Sequence, residues 1–537
     1  MNIPSQLSGL SQNARLLTLQ SPQMPGQDAQ LPQTLVVERF TGTEAVNALF
    51  RFDIDALSVS TPLDLQAFLG QELTLRLLQA DGSQRAWHGY CTQAHWLGSD
   101  GGAARYRLRL EPFLAFLRLR RDSYIFQDQT AQQTIHQLLG EHPQANWHWD
   151  VAADRLAQHP ICTQYRESNL DFMVRILASQ GLSYRFEHDQ ADPGTPGQRS
   201  PSSPRAQHQL VIFDPAAQAP AMPGGYSSIR FHRVAATESL DAITTWCPQA
   251  RVQPNAVTRA SWDPARLLAT SAQDSSTPLS ATPLPVLEQF DGSGERQLTD
   301  AAHASRMARL HIQALELPRQ TFTGTGAVRQ LAAGHRFTLA QHARYVEDGT
   351  ANAFTVLQVE HAAQNNLHTG MQGIASSFLN SHTDPAQSAS GVNSTSTGSS
   401  EFDSNDDLAH LPPGTYRNRF SCMRLSTPIV PRATARPAAL GPQTALVVGV
   451  AEAVAGPNWG SQFTQRISTE VVVNFIEGDT DRPLVVGKFY NRGDLPPKVF
   501  FLTAIENTPA CSLIYNGCLS CKKREPRFPQ SPFLVAV

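Results

Sequence analysis

Residues 162–188 read Cys162-Thr-Gln-Tyr165-Arg166-Glu167-Ser168-Asn-Leu170-Asp171-Phe172-Met173-Val-Arg175-Ile176-Leu177-Ala-Ser-Gln-Gly181-Leu-Ser-Tyr184-Arg185-Phe186-Glu187-His188. Ser168 sits where an N-cap belongs, with Asp171 three positions on, so the orphan amides of a first helical turn have acceptors. Leu170, Met173, Ile176 and Leu177 then form one apolar stripe. Gly181 supplies the left-handed residue that closes a helix, and strand character resumes at Tyr184. A short, capped helix set among strands is the local pattern predicted here.

The same pattern extends outward in both directions. Upstream, Thr130 caps a second helix with Gln133 at N3, and Ile135, Leu138 and Leu139 give its stripe. Further back, Phe50, Phe52 and Ile54 alternate with Arg51, Asp53 and Asp55; Leu73, Leu75 and Leu77 alternate likewise, and so do Tyr106, Leu108 and Leu110 with Arg105, Arg107 and Arg109. Period two means strands with one apolar and one charged face, the charged one expected to be solvated. Downstream, Leu210 to Phe213 reads as a buried strand and residues 301–315 as a third helix, with Ala304, Met307, Ala308 and His311 on one face. Strands are expected again within 321–339 and 354–361. The fold class predicted is mainly β with a few short helices (α+β).

Composition narrows the class further. The chain has 537 residues with 41% hydrophobic and 17% charged, and a formal net charge of −3. That leaves no electrostatic footprint for nucleic acid and too little charge for a disordered chain. No apolar run nears the roughly 18 residues of a membrane helix, so no stable membrane insertion is expected. The opening residues lack a charged region followed by an apolar one, so no secretory signal is expected. Residues 189–207 and 381–407 are rich in Pro, Gly, Ser, Thr or Asn and read as loops. From Pro431 short β-branched runs, Thr444 to Val448, Glu470 to Phe475 and Pro483 to Gly487, alternate with turns and read as a small barrel.

A search for catalytic chemistry finds little. There is no H-E-x-x-H, no P-loop, no dinucleotide fingerprint at Gly324-Thr325-Gly326 and no G-x-S-x-G elbow. Trp147-His148-Trp149 invites a ligand-stacking role, but its plain reading is a strand with both tryptophans on one face and His148 on the other. Cys511, Cys518 and Cys521 make one C-x-x-C and a lone thiol, an incomplete zinc set followed by only three basic residues. No catalytic, cofactor or metal residue is named, and no enzyme is expected.

Several long motifs carry a family resemblance. Cys162 to Phe172, with Tyr165, Arg166, Glu167, Ser168 and Phe172, followed by Gly181 to His188 with Phe186, resembles a signature of VgrG proteins, the spike-tip proteins of type VI secretion related to phage tail hubs. The segment holding Gly324 and Gly326, with Gly334 and Phe337, is similar to a further family segment, as is Val356 to His361 with Glu360 and His361. Glu477, Gly478, Asp479, Arg482 and Pro483, with Tyr490 and Asn491, look like the end of the family's OB-fold spike base. These positions are expected to serve fold and assembly.

The resemblance implies a tail at 1–14, a hub-like region of barrel-like β domains at 15–380, a Ser/Thr-rich loop and linker at 381–430, a shortened OB-fold-like spike base at 431–497, and a divergent tail at 498–537 with no β-helical needle. It further implies a homotrimer on the Hcp tube, a PAAR-type cap with effectors or adaptors at the tip, and contacts to baseplate components. A protein made in the bacterial cytoplasm and exported by the type VI machine would need no signal peptide. Three other readings are a phage or prophage tail hub, a spike with a hydrolytic extension, and a defective remnant. The last is motivated by the short route from Val447-Val448-Gly449 to Trp459, where the family has further strands.

Overall fold

The computed structural model describes residues 15–21, 35–58, 63–100, 103–152, 155–190, 207–232, 241–263, 267–276, 284–295, 298–345, 352–367, 411–449, 470–488, 522–523 and 534–536. The expected loop at 381–407, most of that at 189–207, Tyr490, Asn491 and the three C-terminal cysteines lie outside them.

Six strands open the chain: β1 (Leu17–Gln20), β2 (Val36–Ala45), β3 (Arg51–Ser58), β4 (Glu72–Leu78), β5 (Gln84–Asp100) and β6 (Ala103–Glu111). Then come α1 (Leu114–Leu117), β7 (Arg121–Thr130), α2 (Ala131–Gly140), β8 (Trp147–Asp150), β9 (Gln158–Ser168), α3 (Asn169–Ser179), β10 (Ser183–His188) and β11 (His208–Phe213). The middle holds β12 (Ser228–Arg230), β13 (Ile243–Ala250), β14 (Ala256–Asp263), β15 (Leu268–Ser275), β16 (Glu288–Glu295) and α4 (Ala301–Glu316). Next are β17 (Gln320–Gly326), β18 (Arg336–Ala340), β19 (Ala353–Gln364) and β20 (Thr415–Arg424). The last strands are β21 (Gln443–Gly449), β22 (Glu470–Phe475), β23 (Pro483–Lys488), β24 (Lys522–Lys523) and β25 (Leu534–Ala536). This is the mainly β chain with few short helices that the alternation predicted.

Contacts divide it into two compact units. The first comprises Met1–Ala115, His142–Val151 and Gly181–Arg432; the second Phe116–Glu141, Ala152–Gln180 and Ala433–Val537. A contiguous reading of 15–380 does not distinguish the two inserted segments, because local pattern carries no information on which distant segment a strand packs against.

In the first unit a twelve-stranded sheet runs β1-β4-β5-β6-β3-β2-β19-β20-β17-β13, with β12 and β18 attached through β19. Its core face carries Phe40, Ile54 and Leu108 in register across β2, β3 and β6, all buried. Its other face carries three polar rows, since directly paired residues point to the same side. One row runs His95, Arg107, Asp55, Arg39, Gln364, Thr415. The next runs Gln93, Arg109, Asp53, Thr41, Ala362, Arg417, and the third Arg51, Thr43, Glu360, Arg419, Thr325, Thr245.

Two expectations are corrected in this sheet. The charged face of β3 and β6 is not simply solvated: Asp55 and Arg105 are both 3% exposed. Asp55 takes Arg39 and Arg107 at 2.8 Å each, and Arg105 takes Glu38 at 2.9 Å. Burial raises the Asp55 carboxyl, and the hydrogen bond and charge of Arg107, with Arg39 and Arg105, outweigh it and hold the carboxyl below its usual range. Nor is 381–430 all linker, since β20 lies between β19 and β17 in the middle of the sheet. Its buried positions Tyr416, Asn418, Phe420 and Cys422 alternate with half-buried or exposed ones, the period of a strand.

Two three-stranded sheets complete this unit. In β10-β11-β8, the strand β8 places Trp147 and Trp149 on one half-buried face and His148 in solvent, as the plain reading had it. In β15-β14-β16, Val257 packs on Ile312 and Leu315 of α4. That helix is capped by Asp300, whose side chain accepts from the His303 amide. It buries Ala304 and Ala308 as expected and also Leu310, Ile312, Ala314 and Leu315, so its buried face is wider than one stripe.

The second unit holds the sheets β24-β7-β9 and β23-β22-β21-β25. Tyr165, Val471, Val473 and Phe475 form its core cluster, with Ile125 and Val485 packed against it. Thr130 and Gln133 make the complete capping box of α2. Ser168 accepts the Asp171 amide at 3.1 Å to cap α3, and Gly181 follows that helix at φ +68.

Candidate functional site

The motif residue His361 lies at the centre of a buried polar network. It sits on β19 opposite Gly42 of β2 and Asn418 of β20, with its side chain on the core side. Its Nε2–H donates to Glu44 at 3.1 Å, leaving Nδ1 to accept from the Tyr416 hydroxyl at 2.7 Å. The Tyr416 oxygen accepts in turn from Asn418 Nδ2 at 3.1 Å. Arg85 donates to Glu44 at 2.9 Å and to the carbonyls of Arg329 and Leu331 at 2.5 Å each, while its guanidinium stacks 4.4 Å from the Trp87 ring.

Burial alone would push the Glu44 carboxyl up; Arg85 and His361 overcome it and hold it below its usual range. Burial depresses His361 and raises the Tyr416 phenol. The network thus joins an ionised carboxylate to a neutral imidazole and a neutral phenol. A base and its orienting group are present, but both are sealed in the core. Their geometry satisfies buried donors and locks the register of β2, β19 and β20. Arg85, Glu44, Tyr416 and Asn418 were not singled out from sequence. The one signal for Arg85 was a cation two residues from a tryptophan.

Phe186 of β10 belongs to a second cluster in the same unit, packing edge-on against Phe50 at 5.1 Å beside His188 and His208. His88 donates from Nε2 to the Asp189 carbonyl at 2.8 Å, and its backbone amide donates to His188 Nδ1 at 3.0 Å. His208 Nε2 accepts the Phe113 amide at 3.1 Å. Burial pushes His208 down to about 3 and His188 well below its ordinary value.

The remaining first-unit motif residues serve close packing. A side chain on Gly324 would meet the Phe420 ring, and one on Gly326 would overlap the Ala242 carbonyl oxygen. Gly334, at φ +77, lies under Arg185. Phe337 is buried against Trp246, Phe354 and Phe420. Glu360 is on the outer face, 4.0 Å from Arg419.

In the second unit, Glu167 accepts two bonds from Arg175, at 2.6 and 3.2 Å. Phe172 stacks on Phe126 with centroids 5.4 Å apart. Tyr165 accepts from Gln443 at 2.6 Å, and Arg166, at φ +50, sits over the Tyr165 ring. The turn before β23 has Glu477 at φ +56 and Gly478 at φ +76. There Asp479 faces Arg436 at 3.1 Å and Arg482 at 3.4 Å, and Pro483 opens β23. Asp481 accepts the Thr163 amide at 2.6 Å and Arg436 at 2.9 Å. The family motif of α3 and that of the OB-like turn, 318 positions apart along the chain at their joining bond, therefore meet. Among the described residues, no group of three or more His, Cys, Asp or Glu could hold a metal, and no helix is long and apolar enough to cross a membrane.

Residues 43–367 match the phage tail baseplate hub (GPD) family, and residues 432–490 match the type VI secretion system/phage-baseplate injector OB domain. These matches define a baseplate-hub chain that carries an injector OB domain. The chain belongs to this hub family, and among curated proteins it is similar to VgrG spike proteins. It is 26% identical over 506 residues to the type VI secretion system spike protein VgrG1a of Pseudomonas aeruginosa, covering 87% of this chain and 69% of that one. With VgrG1c of the same organism it shares 26% over 528 residues, covering 91% of this chain and 63% of that one. The chain thus spans about two thirds of the length of these relatives. Among solved structures, the E. coli c3393 protein, a component of the type VI secretion system, covers 88% of this chain and 99% of its own with a TM-score of 0.53. At 17% identity that likeness bears on the fold alone.

Proposed function

We propose that this chain is a structural spike-hub component of a type VI secretion machine. In this reading three copies assemble on an Hcp tube, a PAAR-type cap with effectors or adaptors rides on the tip, and sheath contraction delivers the whole into a target cell. Baseplate components hold it before firing, and the machine itself exports it. The chain's own role is mechanical and non-catalytic.

The observation that carries this is the co-occurrence, in one chain and in this order, of the hub match at 43–367 and the injector OB match at 432–490. Support for a mechanical role comes from the motif residues themselves: nearly all those described lie in cores, caps and turns, where they hold backbone rather than face a substrate. The test is solution mass by size-exclusion chromatography with light scattering. A particle of three times 58.8 kDa that co-elutes with Hcp is expected. A stable monomer that ignores Hcp rejects the reading, and binding to a phage tail-tube protein in place of Hcp moves it to a phage tail hub.

A further inference from the structure

We propose that the arginine-bearing outer face of the large first-unit sheet is a docking surface for an acidic protein segment, rich in Asp and Glu. The three polar rows described above hold six arginines, Arg39, Arg51, Arg107, Arg109, Arg417 and Arg419, against three carboxylates. The whole chain carries a net charge of −3, so this surplus of cations is local.

The three carboxylates are already committed. Asp55 is shared by Arg39 and Arg107, and Asp53 by Arg51 at 2.7 Å and Arg109 at 2.8 Å. Glu360 is 4.0 Å from Arg419. Arg417 has no ion-pair partner among the described residues and is exposed, and the Arg51 side chain is 52% exposed. A guanidinium has five N–H donors, so Arg417 and the half-exposed Arg51, which shares Asp53 with Arg109, have donors to spare. Two such donors side by side fit an incoming carboxylate in bidentate fashion.

The occupant is a protein segment, and nucleic acid is disfavoured. None of the eighteen row positions is a Phe, Tyr or Trp on which bases would stack. Thr41, Thr43, Thr245 and Thr325 instead line the rows with hydroxyls suited to a peptide.

The experiment uses the full chain and a fluorescein-labelled oligo-glutamate peptide as probe, read by anisotropy at low and high salt. Because the chain is net negative, bulk charge opposes this binding, so a signal reports the face. The wild type is expected to bind at low salt, to weaken as salt rises, and to lose about tenfold or more in the Arg51→Gln/Arg417→Gln/Arg419→Gln variant. If that variant does not fold by circular dichroism, Arg417→Glu alone, on an exposed position, is expected to lose affinity in the same direction. Absence of binding by the wild type, or equal binding by wild type and variants, overturns the proposal. So does tighter binding of duplex DNA that the variants abolish. Self-association at low salt that the variants abolish makes a second copy the occupant, and overturns it as well. The hub reading fails separately, on the trimer mass, which the peptide measurement does not touch.

Discussion

Arg175 Nη2 lies 2.6 Å from Glu167 Oε1, both side chains being buried, so helix α3 is tied back to the last turn of the strand that leads into it. The same guanidinium donates to the Thr163 carbonyl at 3.0 Å. Burial would lower the Arg175 pKa, but the Glu167 hydrogen bond and charge outweigh it and raise it. Removing the carboxylate leaves a buried cation without its counter-charge. Glu167→Gln is therefore expected to destabilise the second unit by about 3–5 kcal/mol, whereas replacing both partners by apolar residues of similar volume costs much less. Urea unfolding followed by tryptophan-independent far-UV circular dichroism checks the difference between single and double variants.

The Ser168 cap offers a smaller, cleaner perturbation. Its hydroxyl accepts the Asp171 amide and donates to the Asp171 carboxylate at 2.6 Å. Ser168→Ala is expected to cost about 0.5–2 kcal/mol, and Ser168→Asn much less, because a new acceptor replaces the lost one. Denaturant midpoints of the two variants provide the comparison; equal losses would remove capping as the cause.

Close backbone approach at Gly326 predicts a different result from an open glycine in the same unit. Gly326→Ala drives a methyl into the Ala242 carbonyl, where backbone must move, and is expected to cost about 1–3 kcal/mol. Gly292→Ala meets only the Phe290 ring at an ordinary 3.6 Å and is expected to change stability by about 0.5 kcal/mol or less. Thermal midpoints measured side by side distinguish them.

Acid should loosen the first unit through its buried histidines. His208 is held near 3 by burial, below its unfolded value of about 6.5. A depressed native pKa means the unfolded chain binds the proton first as pH falls. The neutral imidazole's contribution is thus complete above about pH 6.5 and is lost progressively down to about 3. Between pH 7 and 5 this group alone is expected to remove about 2 kcal/mol, with His188 acting in the same direction. Comparing unfolding of the wild type and His208→Asn at the two pH values checks it: the variant's pH dependence should be shallower.

Local grammar was readable because it depends on neighbours three or four positions apart. Thr130 with Gln133, Ser168 with Asp171, and Gly181 after α3 each complete a hydrogen-bond or dihedral requirement within one turn. The strands of β3, β4 and β6 were readable because period two survives whatever the strand pairs with. Motif likeness marked His361 and Glu167 as positions that matter but gave neither a partner. Glu44 is 317 positions from His361, and neither residue carries a local sign of the other.

By itself, then, the sequence determined the β-rich class, the helix caps and the family. Tertiary structure alone decided that Thr415–Arg424 enters the sheet beside β19, that Asp55 is buried under three arginines, and that Asp481 reaches Thr163. The physical reason is the range of the forces involved. Backbone propensity and capping act within a turn, whereas burial of a charge is tolerable only once distant strands have brought its counter-charges, and no local window contains both.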